Sequence, residues 1–145
     1  MSDVINEVLD VQQDPKEFHK FVLEVVKCYH CHYADLRSSE SEFSWFNKAM
    51  AWNSDELVDI VEGFDPSPYE KKIDYSMALH GVINDYSFGW GTNWSDDVHN
   101  ASMAKIYWFI NQLLYPKDNE GFFRSEIPGI LKWSANPYSD RLKKE

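Results

Sequence analysis

An all-α, single-domain fold follows from three observations. Apolar residues recur at intervals of three and four, helix-start signals precede most of those runs, and no alternating strand pattern is sustained anywhere. A chain of 145 residues, 43% hydrophobic and 26% charged, suits one globular domain. The expectation is a helical bundle of about four to six helices over residues 1–145, with an irregular C-terminal segment.

The elements follow in order. Val4, Val8 and Leu9 suggest a short opening helix. Asp14-Pro15-Lys16-Glu17 is a helix start: Asp14 can cap, Pro15 suits the first helical position and Glu17 can close a capping box. Phe18, Phe21, Val22, Val25, Tyr29, Tyr33 and Leu36 then define one face. Ser39 with Glu42 forms another capping signal before Phe43, Phe46 and Met50. Asn53 with Glu56 repeats it before Leu57, Ile60, Val61 and Phe64, so this stretch reads as one kinked helix or two short ones, stopping near Gly63.

Asp65-Pro66-Ser67-Pro68 reads as a turn. Pro68 can start the next helix, whose Ile73, Met77, Leu79, Val82, Ile83 and Tyr86 fall on more than one side and predict a central position in the bundle. Ser87–Trp94 interrupts the helical pattern with two glycines around Trp90. Ser95, Asp96 and Asp97 open a further helix with a face of His99, Met103, Ile106, Tyr107, Ile110, Leu113 and Leu114, ended with help from Pro116. Phe122, Phe123, Ile127, Ile130, Leu131 and Trp133 should pack back on the bundle, and residues from about Ser134 to Glu145 read as an exposed tail.

Charge narrows the choice of partners. Against 14 Lys and Arg stand 24 Asp and Glu, a formal charge of −10. Such a chain repels nucleic acid and anionic membrane and favours a basic protein. Between Asp35 and Asp65 eight acids face two bases, whereas Arg141, Lys143 and Lys144 reverse the sign at the end. No apolar leader follows Met1, no run approaches the ~20 apolar residues of a membrane span, and two cysteines suggest no disulfide framework; a cytoplasmic location is the expectation.

Several constellations could carry chemistry. Cys28, Cys31 and His32 share a helix face and are metal-ligand types, though a small buried thiol and a hydrogen-bonded imidazole also suit a core there. A nucleophilic Cys28 with His32 as base would lack any marked oxyanion hole. His80 and His99, on helices flanking the tryptophan loop, could meet at a pocket with Asp74 or Asp85 orienting one of them. There is no P-loop, no G-x-G-x-x-G, no G-x-S-x-G and no Glu-x-x-His pair. No cofactor and no catalytic residue is therefore assigned, and the chain reads as a non-enzyme.

Aromatic and acidic residues carry more information. Six Trp, eight Tyr and nine Phe exceed what a core of this size needs, so some should serve as surface anchors. Trp90 and Trp94 either plug their own loop or stand in solvent beside Asp96 and Asp97, where Arg- and Lys-rich surface would dock. Asp55, Asp59 and Glu62 form a like-charged stripe opposite Leu57, Ile60 and Val61. Small size, acidity and missing catalytic motifs give the physical profile of an acidic inhibitor, the type to which immunity proteins, antitoxins and phage-encoded decoys belong. The expected partner is a basic, nucleic-acid-acting protein such as a nuclease toxin, occluded by Trp90, Trp94, Asp96, Asp97, Asp55, Asp59 and Glu62. The alternatives are a small helical enzyme or metal protein built on His80/His99 or the Cys28/His32 face, and an oligomerisation module.

Overall fold

The computed structural model describes residues 2–36 and 44–132. Their regular elements are all helices, without a strand among the described residues. In chain order they form α1 (Ser2–Leu9), α2 (Pro15–Leu36), α3 (Ser44–Gly63), α4 (Lys72–Asp85), α5 (Asp96–Leu113), a single 3-10 turn (Pro116–Asp118), α6 (Glu120–Ser125) and α7 (Ile127–Lys132). The capping signal at Ser39 and Glu42, and the tail with Trp133, Arg141, Lys143 and Lys144, lie outside the described residues.

α2 is the axis of the core. It starts where proline chemistry predicts, with Lys16 N donating to Asp14 Oδ1 at 2.9 Å. Glu17 does not close the capping box but pairs with Lys20 at 3.3 Å. Phe18, Val22, Val25 and Val26 are wholly buried, and the Tyr29 ring lies flat on Phe109 of α5, with centroids 3.8 Å apart. Phe21 stacks on Phe123 of α6 at 6.1 Å, and Ile127 and Ile130 bring α7 against the same helix. Each aromatic side chain so buried contributes roughly 1.5–3 kcal/mol through area removed from water. On α1 the buried residues are Ile5 and Val8; Val4, expected inside, faces solvent.

Of the two readings left open for the stretch before Gly63, the structure takes the single helix, Ser44–Gly63, with Asn53 buried inside it rather than capping a new start. One expectation needs correction. α4 is peripheral rather than central, and it begins four residues after Pro68. Residues 65–71 are occupied by a turn in which Ser67 N bonds Asp65 Oδ1 at 3.0 Å and Tyr69 N bonds Pro66 O at 3.2 Å. Tyr69 then stacks on Phe64 at 5.8 Å. α4 inserts only Tyr75, Ser76, Leu79 and Ile83 beside Lys72, while Ile73, Met77 and Val82 face outward. α2, α3 and α5 already enclose a core, so only one side of α4 has apolar neighbours to meet.

Lys72 ties the N-terminus to this shell. It is 6% exposed, and its Nζ donates to the carbonyls of Val8 and Asp10 while sitting 4.3 Å over the Phe18 ring. The Val8 carbonyl lies in the last turn of α1 and has no partner within the helix, and the Asp10 carbonyl, just past its end, also accepts from Gln13 N at 3.1 Å. Burial lowers the Lys72 amine to about 8, with Asp10 pulling the other way. Below pH 8 both folded and unfolded chains hold this proton, and the folded state bears the whole cost of a buried charge. Between about 8 and 10.5 the unfolded chain holds a proton that the folded one has released, so stability from this group rises with pH. Denaturant midpoints at pH 7.5 and pH 10 should therefore shift in favour of the wild type over Lys72→Met; a difference that stays constant would contradict this.

Candidate partner-binding surface

The loop between α4 and α5 is a fixed structure built around Gly89. Gly89 (φ 72°) and Gly91 (φ 82°) adopt left-handed backbone that other residues avoid. Thr92 donates to Gly89 O twice, from Oγ1 at 2.7 Å and from its amide at 3.1 Å, which puts Trp90 at the tip of a tight turn. Gly89 N donates to Glu56 Oε1 of α3 at 3.0 Å. A Cβ on Gly89 would stand 3.0 Å from Trp94 Cζ2, 3.4 Å from His99 Nδ1 and 3.5 Å from Asn53 Oδ1. Phe88, next to it, is buried edge-on to Tyr86 and Tyr107.

This anchoring splits the tryptophan pair. Trp90 projects with 85% of its surface exposed. Trp94 is half-buried: its Nε1 makes a long hydrogen bond of 3.4 Å to His99 Nδ1, and its ring meets Trp52 of α3 edge-on at 6.0 Å. Asp96 and Asp97 lie exposed on the first turn of α5, where Ser95 caps by accepting from Val98 N at 3.3 Å. Both carboxylates thus face the positive end of an 18-residue helix.

The solvent face of α3 continues the surface. Trp45, Lys48, Trp52, Asp55, Asp59 and Glu62 follow one another at helical spacing, with Trp45 58% and Trp52 52% exposed. Asp59 stands in the middle of the acids. Partial burial first, then the charges of Asp55, Glu62 and Glu56, push its carboxyl above the ordinary range, against the pull of His30. The stripe's ends have neighbours on α2: the Lys27 ammonium reaches Glu62 at 3.7 Å, and His30 Nε2, charged only when protonated, reaches Asp55 at 3.7 Å while its Nδ1 meets Ser54 Oγ at 2.9 Å. Exposed pairs of this length contribute little, so they temper the field without removing it. The Trp52–Trp94 contact and the Glu56–Gly89 bond join the α3 stripe and the loop, and the seven residues expected at a partner surface fall on this joined structure.

Other candidates are not brought together. His80 Nδ1 pairs with Tyr115 Oη at 2.8 Å, at the far end of α5 from His99. Sixteen residues separate Tyr115 from His99, about 24 Å at the helical rise. Asp74 and Asp85 are exposed. Cys28 and Cys31 are buried in the α2 core, Cys28 Sγ lies 4.0 Å from Glu24 Oε1, and His32 stands edge-on to Tyr33. Burial lowers the His32 pKa, opposed by Asp35. Among the described residues no three His, Cys, Asp or Glu side chains converge as they would around a metal ion. A cavity of about 470 Å³ does lie between the α1–α2 turn, the start of α4 and the 3-10 turn, with Val8, Val11, Lys72, Ile73 and Tyr115 in its wall.

Trp45 and Trp52 were not singled out in the sequence, although a signal for them was there, and Asn53 and Glu56 were read only as a capping signal. The helical spacing that directs Phe46, Met50 and Leu57 inward leaves Trp45 and Trp52 off the buried face. No family model, curated protein or solved structure matches the chain.

Substitution should separate the two loop glycines. Gly91→Ala meets only the backbone cost of positive φ, about 1 kcal/mol, whereas Gly89→Ala also drives a methyl into Trp94 and His99 and should cost about 2–4 kcal/mol. Urea denaturation of both variants tests the order; equal losses would contradict the account of Gly89.

Proposed function

We propose that this chain is a stoichiometric protein-binding inhibitor of the immunity-protein, antitoxin or decoy type, acting in the cytoplasm. Its target is a basic, nucleic-acid-handling protein whose active surface it covers. The observation that carries this reading is Trp90, almost wholly exposed on a loop whose base is fixed to α3 at Gly89. A large apolar ring left in water is costly in a monomer, and a rigid one loses little entropy on docking. The acids Asp55, Asp59, Glu62, Asp96 and Asp97 supply the field that attracts a cationic partner and raises its association rate. That no helix among the described residues is long and apolar enough to cross a membrane agrees with such a role.

The test is affinity capture from native host lysate at low salt, with salt elution and mass spectrometry. The reading expects one dominant basic protein. Trp90→Ala should weaken that complex about tenfold or more, as hot-spot tryptophans do, without lowering the melting temperature. Asp59→Lys with Glu62→Lys should slow association several-fold and flatten its salt dependence, leaving dissociation nearly unchanged. Unaltered affinity in the first variant would remove the loop from the interface, and unaltered kinetics in the second would remove steering.

A second reading rests on the 470 Å³ cavity. Its volume lies within the range of small-molecule clefts, roughly 300–1,000 Å³, and its lining combines apolar residues with Lys72, whose amine is buried, and Tyr115, whose hydroxyl meets His80. Native mass spectrometry of protein purified from its host would find a bound small molecule that Lys72→Met loses.

A further inference from the structure

A second, smaller cavity opens on the aromatic face itself. It measures about 250 Å³ and is lined by Trp45, Asn93, Trp94, Ser95 and Val98. That lies below the usual range for small-molecule clefts, about 300–1,000 Å³, but is enough for one long side chain. Trp94, one wall, is backed by the edge of Trp52 and by its bond to His99, so it is held in place. Trp45, also in the lining, already carries a cation: Lys48 Nζ sits 4.5 Å from its ring centroid. Asp96 and Asp97, exposed on the first turn of α5, directly follow the lining residue Ser95 in sequence.

We infer that this slot receives an arginine side chain of the partner, its guanidinium lying against Trp45 and Trp94 and its charge facing Asp96 and Asp97. The inference rests on the docking reading above and names its anchor. Three features select this occupant. Two indole faces attract a cation through their quadrupoles, and arginine, planar and weakly hydrated, stacks on such faces better than lysine. Asp96 and Asp97, next to Ser95 in sequence, disfavour an anionic guest. Lys48 shows that the Trp45 face accepts a positive group in this environment, and it is an exposed side chain that an incoming guanidinium can displace.

Calorimetric titration with a hexa-arginine peptide at low salt, beside the neutral isostere hexa-citrulline, tests the assignment. Trp45→Leu alters no charge, keeps apolar area and changes a residue already in solvent, so the fold is spared. It should weaken hexa-arginine binding about two- to fivefold, the contribution of an exposed cation–π contact. Lys48→Gln should tighten binding more than Lys20→Gln, which removes the same charge from the start of α2, away from the slot. Hexa-citrulline should bind far more weakly and be insensitive to Trp45→Leu. Unchanged hexa-arginine affinity in Trp45→Leu, or an equal loss for hexa-citrulline, would overturn the assignment. If Trp90→Ala and Asp59→Lys still weaken the captured partner while Trp45→Leu does not, the docking reading stands and the arginine slot falls.

Discussion

The contact on which the candidate surface depends is the close approach of Gly89 to α3 and α5. The Asn53 side chain, buried within α3, donates to Ser102 Oγ of α5 at 3.0 Å, and Ser102 in turn donates to the His99 carbonyl at 2.9 Å. This short polar chain fixes the two helices in register beneath the loop. Asn53 Oδ1 and His99 Nδ1 then bound the space over which Gly89 closes, and a Cβ there would crowd Trp94 Cζ2 at 3.0 Å. Glu56, one turn further along α3, accepts the Gly89 amide. Buried polar groups tied in this way hold one arrangement, because each lost bond would leave a desolvated donor or acceptor worth about 1–3 kcal/mol. The loop is consequently an extension of the helical scaffold, and the exposure of Trp90 follows from it.

Around that fixed point, charge and aromatic surface are arranged at some cost to stability. Like charges at helical spacing destabilise by a few tenths of a kcal/mol per pair, and Asp59 has such neighbours on both sides. Lys27 and His30 reach the ends of the stripe, yet at its middle burial and the neighbouring acids outweigh the pull of His30 on Asp59. Three tryptophans, Trp45, Trp52 and Trp90, add exposed apolar area in the same neighbourhood. A complex with a cationic surface relieves both at once, and this shared relief connects the energetics of the free protein to the proposed role.

Much of the fold was legible in local sequence. The spacing of Phe18, Val22, Val25 and Tyr29 located the buried side of α2, and Ser95 with its following acids marked the start of α5, because those signals depend only on helix geometry and capping. The errors have tertiary causes. Asn53 and Glu56 imitate a capping box, but Asn53 is drawn inward by Ser102 and Glu56 is drawn across to Gly89, partners distant in sequence. The outward Ile73, Met77 and Val82 of α4 look like core residues until the competing helices have filled the core. The candidate surface was half legible: Gly-Trp-Gly and the acids announced the loop and the stripe, whereas their junction through Trp52 exists only once α3 and α5 are packed.

The central claim is that Trp90 is presented by a rigid loop. Backbone ¹⁵N relaxation of Phe88–Trp94, compared with α5 in the same sample and with Glu56→Ala, addresses it most directly. The account predicts order parameters for Gly89 and Trp90 close to the helical level of about 0.85, falling toward about 0.6 when the Glu56 carboxylate is removed. Order parameters already below about 0.6 in the wild type, with no response to Glu56→Ala, would contradict it.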